Sequence, residues 1–503
     1  MNADLGSMWS KNESVFASVQ ASSSLPHHMT TSANNIETSF STFRKKMEAE
    51  GLSESAIRAF RGSYAALLAG ETGMIPEATI SPASDLPCAD DLRQPEALRT
   101  AELLKQTVLI KLNGGLGTGM GLEKAKSLLA VRGEDTFIDL IARQVLRLRA
   151  TTGGAVPAFM LMNSFSTSAD TVAHLAARFP ELGGPEDWEL MQNKAPKVLA
   201  DSLLPASWPT NPDQEWCPPG HGDIYACLVG SGWLDRLLGS GVRYAFVSNS
   251  DNLGATLDPA ILAWFADSGM PFAMEVTRRT ESDKKGGHLA VRLSDGRFLL
   301  RESAQCVKED EAHFQNIDLH RYFNTNNLWI DLQALKAALE ENDGLIPLPP
   351  IMNKKTVDPR DPSSPAVIQL ETAMGAAIEC FAGAGAIEVS RTRFAPVKTT
   401  ADLLAVRSDA YELTEDFCLR LHPSRNGQPP HLTLDPKRCK LVDGLEQDFP
   451  NTPSLLECRS LSVKGPVECG PGVTFKGDAV IENASEAPIK LEAGAYEGRV
   501  QAG

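Results

Sequence analysis

A short apolar run, Val108-Leu109-Ile110-Lys111-Leu112, leads into Asn113-Gly114-Gly115-Leu116-Gly117-Thr118-Gly119-Met120-Gly121. Five glycines in the eight positions from Gly114 to Gly121 leave that backbone almost free of Cβ atoms. Bare N–H groups can then approach an anion, and a helix following the loop would add its positive end. Lys126 lies five residues after Gly121 and brings a full charge. This combination suits a phosphate-rich ligand such as a triphosphate. Two familiar phosphate loops do not fit. A dinucleotide fingerprint needs glycine at i, i+2 and i+5, but from Gly115 the last position is Met120 and from Gly117 it is Leu122. A Walker A loop needs glycine before Lys-Ser, where this chain has Ala125 before Lys126-Ser127. A glycine-rich structural turn is the other reading of the segment.

The elements that must position this loop follow from periodicity. From about Thr107, strand-like runs (Val108–Leu112, Ala158–Met162, Tyr244–Ser248) alternate with helical patterns (Phe137–Leu148, Pro259–Phe265). Such alternation predicts βαβ units and a parallel sheet covered on both faces, with ligands bound beyond the strands' carboxyl ends. Before it, residues 1–100 begin Ser- and Thr-rich and loose. They then turn helical through Phe43, Met47, Leu52, Ile57, Phe60, Tyr64 and Leu67, with a turn-rich linker from Pro76 to Pro95. Residues 101–407 form the expected catalytic domain and 408–503 a third. In the last, Leu461, Val467, Val473 and Ala479 fall every six residues with glycines between, a period that resembles a parallel β-helix but also fits hairpins with glycine turns.

Composition sets outer limits. The chain has 503 residues, 42% of them hydrophobic, which predicts two or three domains. Lys plus Arg is 48 and Asp plus Glu is 64, a formal charge of −16. That excludes a general nucleic-acid binder and disfavours docking on anionic membranes. No apolar run approaches the roughly 18 residues of a membrane span, and Met1 to Leu5 lacks the start of a signal peptide. The nine cysteines are scattered and none form Cys-x-x-Cys, which predicts a reducing compartment, the cytoplasm.

Further motifs make the glycine loop specific. They are Pro218-Pro219-Gly220-His221-Gly222-Asp223-Ile224-Tyr225, Phe246 to Thr256 (FVSNSDNLGAT), Phe323-Asn324-Thr325-Asn326-Asn327-Leu328-Trp329, Gln369-Leu370-Glu371-Thr372 and Arg393 to Thr400 (RFAPVKTT). Together with the loop they cover about residues 105–410, and they resemble the eukaryotic-type UDP-glucose pyrophosphorylases in order and content. The resemblance implies an α/β fold with a Rossmann-like, glycosyltransferase-A-like nucleotidyltransferase domain and a mixed, mostly parallel sheet. It also implies a helical N-terminal part and a C-terminal left-handed parallel β-helix. The implied reaction joins UTP and glucose 1-phosphate into UDP-glucose and pyrophosphate, reversibly and with Mg²⁺. Such a transfer asks the protein for alignment and charge neutralisation more than covalent chemistry.

By resemblance, Lys126 contacts the triphosphate and Lys398 bridges the reacting phosphates. Asp251, at a strand's carboxyl end, is the Mg²⁺ ligand, although an Asx-turn or cap would use the same residue. Leu112, Gly114, Gly115, Met162, Gln192 and Gly220 fall to the nucleotide; Gln192 can both donate and accept, which suits uracil. Asn249, Gly287, Glu302 and Asn326 fall to the sugar, and His221 lies near sugar or phosphates. His221 also fits a structural role, since the sequence reveals no carboxylate partner, and Phe394 fits a core position as well as a ligand-facing one. The family loop usually carries a small hydroxyl residue where this chain has Gly119, and Leu122-Glu123-Lys124-Ala125 differs from the version common in animals; both predict altered loop mobility. A broad UDP-sugar pyrophosphorylase and a non-catalytic UDP-sugar-binding protein are the alternatives. In some family members the C-terminal domain joins subunits, so homo-oligomers are an expectation here.

Overall fold

A computed structural model of the chain describes residues 39–151 and 158–501. The Ser- and Thr-rich start, and Ala502-Gly503 at the end, lie outside the described residues. The helical spacing after it becomes two helices, α1 (39–49) and α2 (Glu54–Leu68), separated at Gly51, whose φ of 75° ends the first. Ser53 caps α2 by accepting from the Ala56 N–H. Phe40, Phe43, Ile57, Phe60 and Tyr64 bury one shared face against Trp216, Ile368 and Leu370.

Ten strands form the central sheet: β1 (Ile80–Pro82), β2 (Thr107–Asn113), β3 (Ala158–Asn163), β4 (Glu189–Met191), β5 (Tyr244–Asn249), β6 (Phe272–Arg278), β7 (His288–Arg292), β8 (Phe298–Arg301), β9 (Tyr322–Asp331) and β10 (Gly385–Glu388). The main path runs β1-β7-β9-β5-β2-β3-β4, with β6 between β9 and β10 and β8 on β7. The stretch read as a linker therefore supplies an edge strand, β1. Along β2, Val108 and Ile110 enter one core cluster and Leu109 the other, so both faces are covered, as the apolar run predicts.

Parallel pairing is continuous from β5 through β2 and β3 to β4, and it recurs beyond β9, where β6 pairs in parallel with β10. β9 runs antiparallel to β5, β6 and β7, and β7 is antiparallel to β8 and β1. The sheet is thus mixed: β2 to β7 and β10 run one way, and β1, β8 and β9 run against them. One antiparallel pair has a local cause: the short turn from Arg292 to Arg297 can join β7 and β8 only in antiparallel fashion. Register brings the carboxyl ends level, with Leu112 beside both Asn249 and Met162.

At the C-terminal end, β11 (His431–Thr433), β12 (Cys458–Lys464), β13 (Val473–Glu482) and β14 (Gly494–Gln501) stack in parallel order. Val467–Cys469 pairs in parallel with Ile489–Leu491 on a second face. Leu461 lies beside Ala479, eighteen positions on, which is three sides of six residues. Leu461, Val467, Val473 and Ala479 are all buried, and Gly465, Gly472 and Gly477 take left-handed φ between them. This interior merges with one cluster of the central sheet, from Phe246 and Leu403 through to Leu461 and Phe475.

Candidate active site

The loop after β2 owes its shape to two left-handed glycines and two hydrogen bonds. Gly117 and Gly121 adopt φ of 67° and 81°, where a side chain would be strained. The Lys126 N–H returns to donate to the Gly115 carbonyl at 3.0 Å, closing the loop and delivering the lysine. The Ser164 hydroxyl donates to the Gly114 carbonyl at 2.9 Å. The helix expected to follow the loop is not there. Thr118–Met120 and Lys126–Leu128 are single 3₁₀ turns, and the next α-helix, α3 (Phe137–Thr151), begins well downstream. Lys126 itself therefore supplies the positive charge that a helix N-terminus would have given.

Its ammonium is held by a carboxylate. Lys126 Nζ lies 2.7 Å from Asp251 Oδ2 and also donates to the Val397 carbonyl. Lys398 Nζ reaches the same Oδ2 at 3.2 Å from the far side of the cleft. Asp251 is carried just past the end of β5, and its carbonyl accepts the Val397 N–H at 3.2 Å, so the strand end and the Lys398 segment are stitched together. Burial alone would raise the Asp251 carboxyl, but Lys398 and Lys126 outweigh it and hold the pKa below the ordinary value. Lys126 is only 14% exposed, whereas Lys398 is 60% exposed and free to reach a ligand. Thr399 and Asp402 form a capping box for α4 (Thr400–Arg407), which fixes the backbone at Lys398.

Beside the glycine loop, Gln192 Nε2 donates to the Gly220 carbonyl at 2.8 Å. That bond orients the amide, leaving Oε1 as acceptor against Gly114, where a Cβ would stand 2.7 Å from it. Gly220, at φ 79°, passes so close to Thr372 that a Cβ would meet its carbonyl oxygen at 2.4 Å. His221 Nδ1 accepts the Met374 N–H at 3.0 Å, so the neutral ring carries its proton on Nε2 as a donor. Burial, and then the Lys398 charge, push His221 down to about 4, so the ring is neutral near pH 7. Its partner is thus a backbone amide, which no sequence pattern could reveal.

On the other side, Asn326 takes φ of 60° and donates from Nδ2 to Asn249 Oδ1 at 2.9 Å. Burial raises the Glu302 carboxyl above its usual range. Gly287 leaves room for it, since a Cβ there would stand 2.5 Å from the Glu302 carboxylate. Phe394 lies tilted against Phe323, ring centroids 5.2 Å apart and planes at 51°.

All of these residues line one cleft of about 1000 Å³: Leu112, Gly114, Gly115, Lys126, Met162, Gln192, Gly220, His221, Asn249, Asp251, Gly287, Glu302, Asn326, Phe394 and Lys398. A second cavity of about 810 Å³, between α2 and Leu345–Pro350, contains none of them. A family model described as UTP–glucose-1-phosphate uridylyltransferase matches residues 57–476, which takes in every part of the cleft. The chain belongs to the UTP–glucose-1-phosphate uridylyltransferase family.

Relatives within this uridylyltransferase family include the Saccharomyces cerevisiae enzyme, 43% identical over 74% of this chain and 73% of the relative. The Solanum tuberosum enzyme is 40% identical over 76% and 78%. A crystal structure of a Leishmania major UDP-glucose pyrophosphorylase variant in complex with UDP-glucose superposes with a TM-score of 0.88. It is 47% identical over 92% of this chain and 99% of that one. Trypanosoma brucei UDP-glucose phosphorylase gives 0.86, 48%, 93% and 100%. The cleft also holds residues of this uridylyltransferase chain that the motifs did not single out. Arg391, paired with Asp283 at 2.7 Å, and Pro429 to Leu432 line it as well. The latter reach it from a segment whose sequence carries no binding signature.

Proposed function

We propose that this chain transfers UMP from UTP to glucose 1-phosphate, giving UDP-glucose and pyrophosphate. One observation carries the reading: two lysines from distant segments converge on Asp251 beside a glycine loop, in the cleft of a chain of this family. A phosphate oxygen of the sugar phosphate attacks the α-phosphorus of UTP as the bond to the β-phosphate oxygen breaks. No proton need be removed, which agrees with a neutral His221 acting as a donor. The loop amides and Lys126 hold the triphosphate, and Lys398 swings from Asp251 to span the reacting phosphates. Gln192 Oε1 accepts the uracil N3–H, which cytosine lacks. Asn249, Asn326, Gly287 and Glu302 receive the sugar hydroxyls, and Phe394 borders them.

The chemistry of Asp251 fits a divalent cation. Its Oδ1 is buried and has no hydrogen-bond partner, an acceptor of the kind a hard cation satisfies. Among the described residues no three His, Cys, Asp or Glu side chains cluster to hold a metal, so substrate phosphate oxygens would have to supply the other ligands. Mg²⁺ there would neutralise phosphate charge as it develops. We further read the C-terminal coils as a left-handed β-helix, on the eighteen-residue turn and the resemblance. Among the described residues β14 pairs on one side only, and its open edge supports self-association. No described helix is long and apolar enough to cross a membrane. Nine unpaired cysteines support a cytoplasmic setting.

Rates with UTP and a panel of glucose, galactose, xylose and N-acetylglucosamine 1-phosphates, with and without a chelator, test the reading. Glucose 1-phosphate should lead and chelation should stop turnover. Equal rates across the panel would favour the broad UDP-sugar enzyme, and no turnover with any member would favour a UDP-sugar-binding protein.

A further inference from the structure

The cleft has a sugar side, on β9, and a phosphate side, on the segment from Arg393 to Lys398. Glu275, in the middle of β6, touches the supports of both. Its side chain is fully buried and its carboxylate accepts four hydrogen bonds. Oε1 takes Trp329 Nε1 at 3.0 Å and Arg393 Nη2 at 2.8 Å. Oε2 takes Asn327 Nδ2 at 3.0 Å and Arg393 Nε at 3.0 Å.

The sugar side is built on an irregularity at that point. The β6–β9 register shifts between Glu275 and Val276, so that Glu275 faces Asn327 and Val276 faces Asn324. Thr325 and Asn326 are thereby pushed out of the ladder. Thr325 Oγ1 donates to the Glu275 carbonyl at 2.6 Å, and Asn326 is left in the left-handed region, reaching Asn249. Glu275 thus holds the bulge through its backbone on one side and through Asn327 on the other.

The phosphate side hangs from Arg393. Its guanidinium also donates to the Thr256 carbonyl at 2.9 Å. Its own carbonyl accepts Asn252 Nδ2 at 3.1 Å, and Asn252 Oδ1 accepts the Ala395 N–H at 3.0 Å. Those bonds lay the segment against the Asp251 turn, with Phe394 next along and Lys398 at its end.

We propose that the buried Glu275–Arg393 pair is a positioning brace that sets the register between the sugar-binding bulge and the lysine-bearing segment. Neither residue lines the cleft, so both act through others. A ligand that spans both sides depends on the brace, and one confined to the nucleotide side does not. The inference rests on the proposed function, because it takes UDP-glucose as the spanning ligand.

The test compares affinities for UDP-glucose and UDP in the full chain, the Glu275→Gln variant and the Glu275→Gln/Arg393→Gln double variant. The double variant removes both members of the pair, so neither is left as a lone buried charge, and it reports even if the single variant fails to fold. We expect UDP-glucose to weaken by ~10-fold or more while UDP changes by less than ~3-fold, with kcat falling further than KM for UTP rises. Equal weakening of both ligands, as a merely structural role would give, overturns the brace, and so does no weakening of either. An unaltered chain that fails to bind UDP-glucose overturns the functional reading first, and this inference with it.

Discussion

Replacing Lys398 by alanine isolates the charge that has to move. Asp251 is paired with Lys126 at 2.7 Å as well as with Lys398, so the variant still leaves the carboxylate a partner and the fold should hold. The loss is then confined to the substrate. A unit charge about 4 Å from a phosphate charge is worth about 4 kcal/mol at an effective dielectric near 20. Lys398 is 60% exposed, so solvent screens part of that. A retained contribution of about 2–3 kcal/mol corresponds to a ~30- to ~150-fold fall in kcat. The UTP dissociation constant should change by less than ~5-fold, because the proposed function gives the triphosphate to the loop amides and Lys126. Lys126 is more enclosed, at 14% exposure, so Lys126→Ala should cost more than Lys398→Ala. Continuous pyrophosphate release gives kcat, and calorimetric titration gives UTP binding. A kcat within ~3-fold of the parent, or a loss found wholly in UTP affinity, would refute the role assigned to Lys398.

Three other outcomes follow from single contacts. Gly220→Ala strains a left-handed residue by about 1–2 kcal/mol and drives a methyl into the Thr372 carbonyl, so KM for UTP should rise ~10-fold or more; an unchanged KM with an unchanged melting temperature contradicts the packing described. Gln192→Ala removes the acceptor set against Gly114, and the preference for UTP over CTP should shrink by ~10-fold or more in kcat/KM, with an unaltered preference counting against that contact. Buried His288, beside His320, Arg301 and Arg279, is pushed down to about 2 from an ordinary 6.5, and His221 to about 4. Between about pH 6.5 and 4 the unfolded chain therefore binds protons that the folded chain does not. Stability falls as pH falls through that window, by about 1.4 kcal/mol per unit for His288 alone. Melting curves at pH 7.5 and 5 check this, and equal midpoints would contradict it.

What the sequence discloses here is whatever rests on local pattern. The glycine loop, the apolar strand beneath it and the six-residue spacing from Leu461 to Ala479 each follow from neighbours in the chain. Many of the cleft residues are legible through motifs, most of which mark a strand end or the turn after it, whereas Arg391 and Pro429 to Leu432 carry no such signal. Three features escaped, one through its shortness and two because they rest on contacts between distant segments. β1 is three residues long, too short for its alternation to stand out from the turns around it. The antiparallel half of the sheet depends on which strands pair with β9, and periodicity does not report pairing. The Glu275–Arg393 contact joins residues 118 positions apart. A lone glutamate in an apolar run reads as a misplaced charge until its four donors are seen. The helix expected after the glycine loop is the opposite case, a local rule borrowed from other phosphate loops that the Lys126–Gly115 closure replaces.

The central claim is that the cleft joins a uridylyl group to glucose 1-phosphate. Purified chain incubated with UTP, glucose 1-phosphate and Mg²⁺ tests it most directly, with both products followed by chromatography. The account predicts UDP-glucose and pyrophosphate in equal amounts, and the reverse reaction when pyrophosphate is added in excess. Pyrophosphate without UDP-glucose, or neither product, would contradict it.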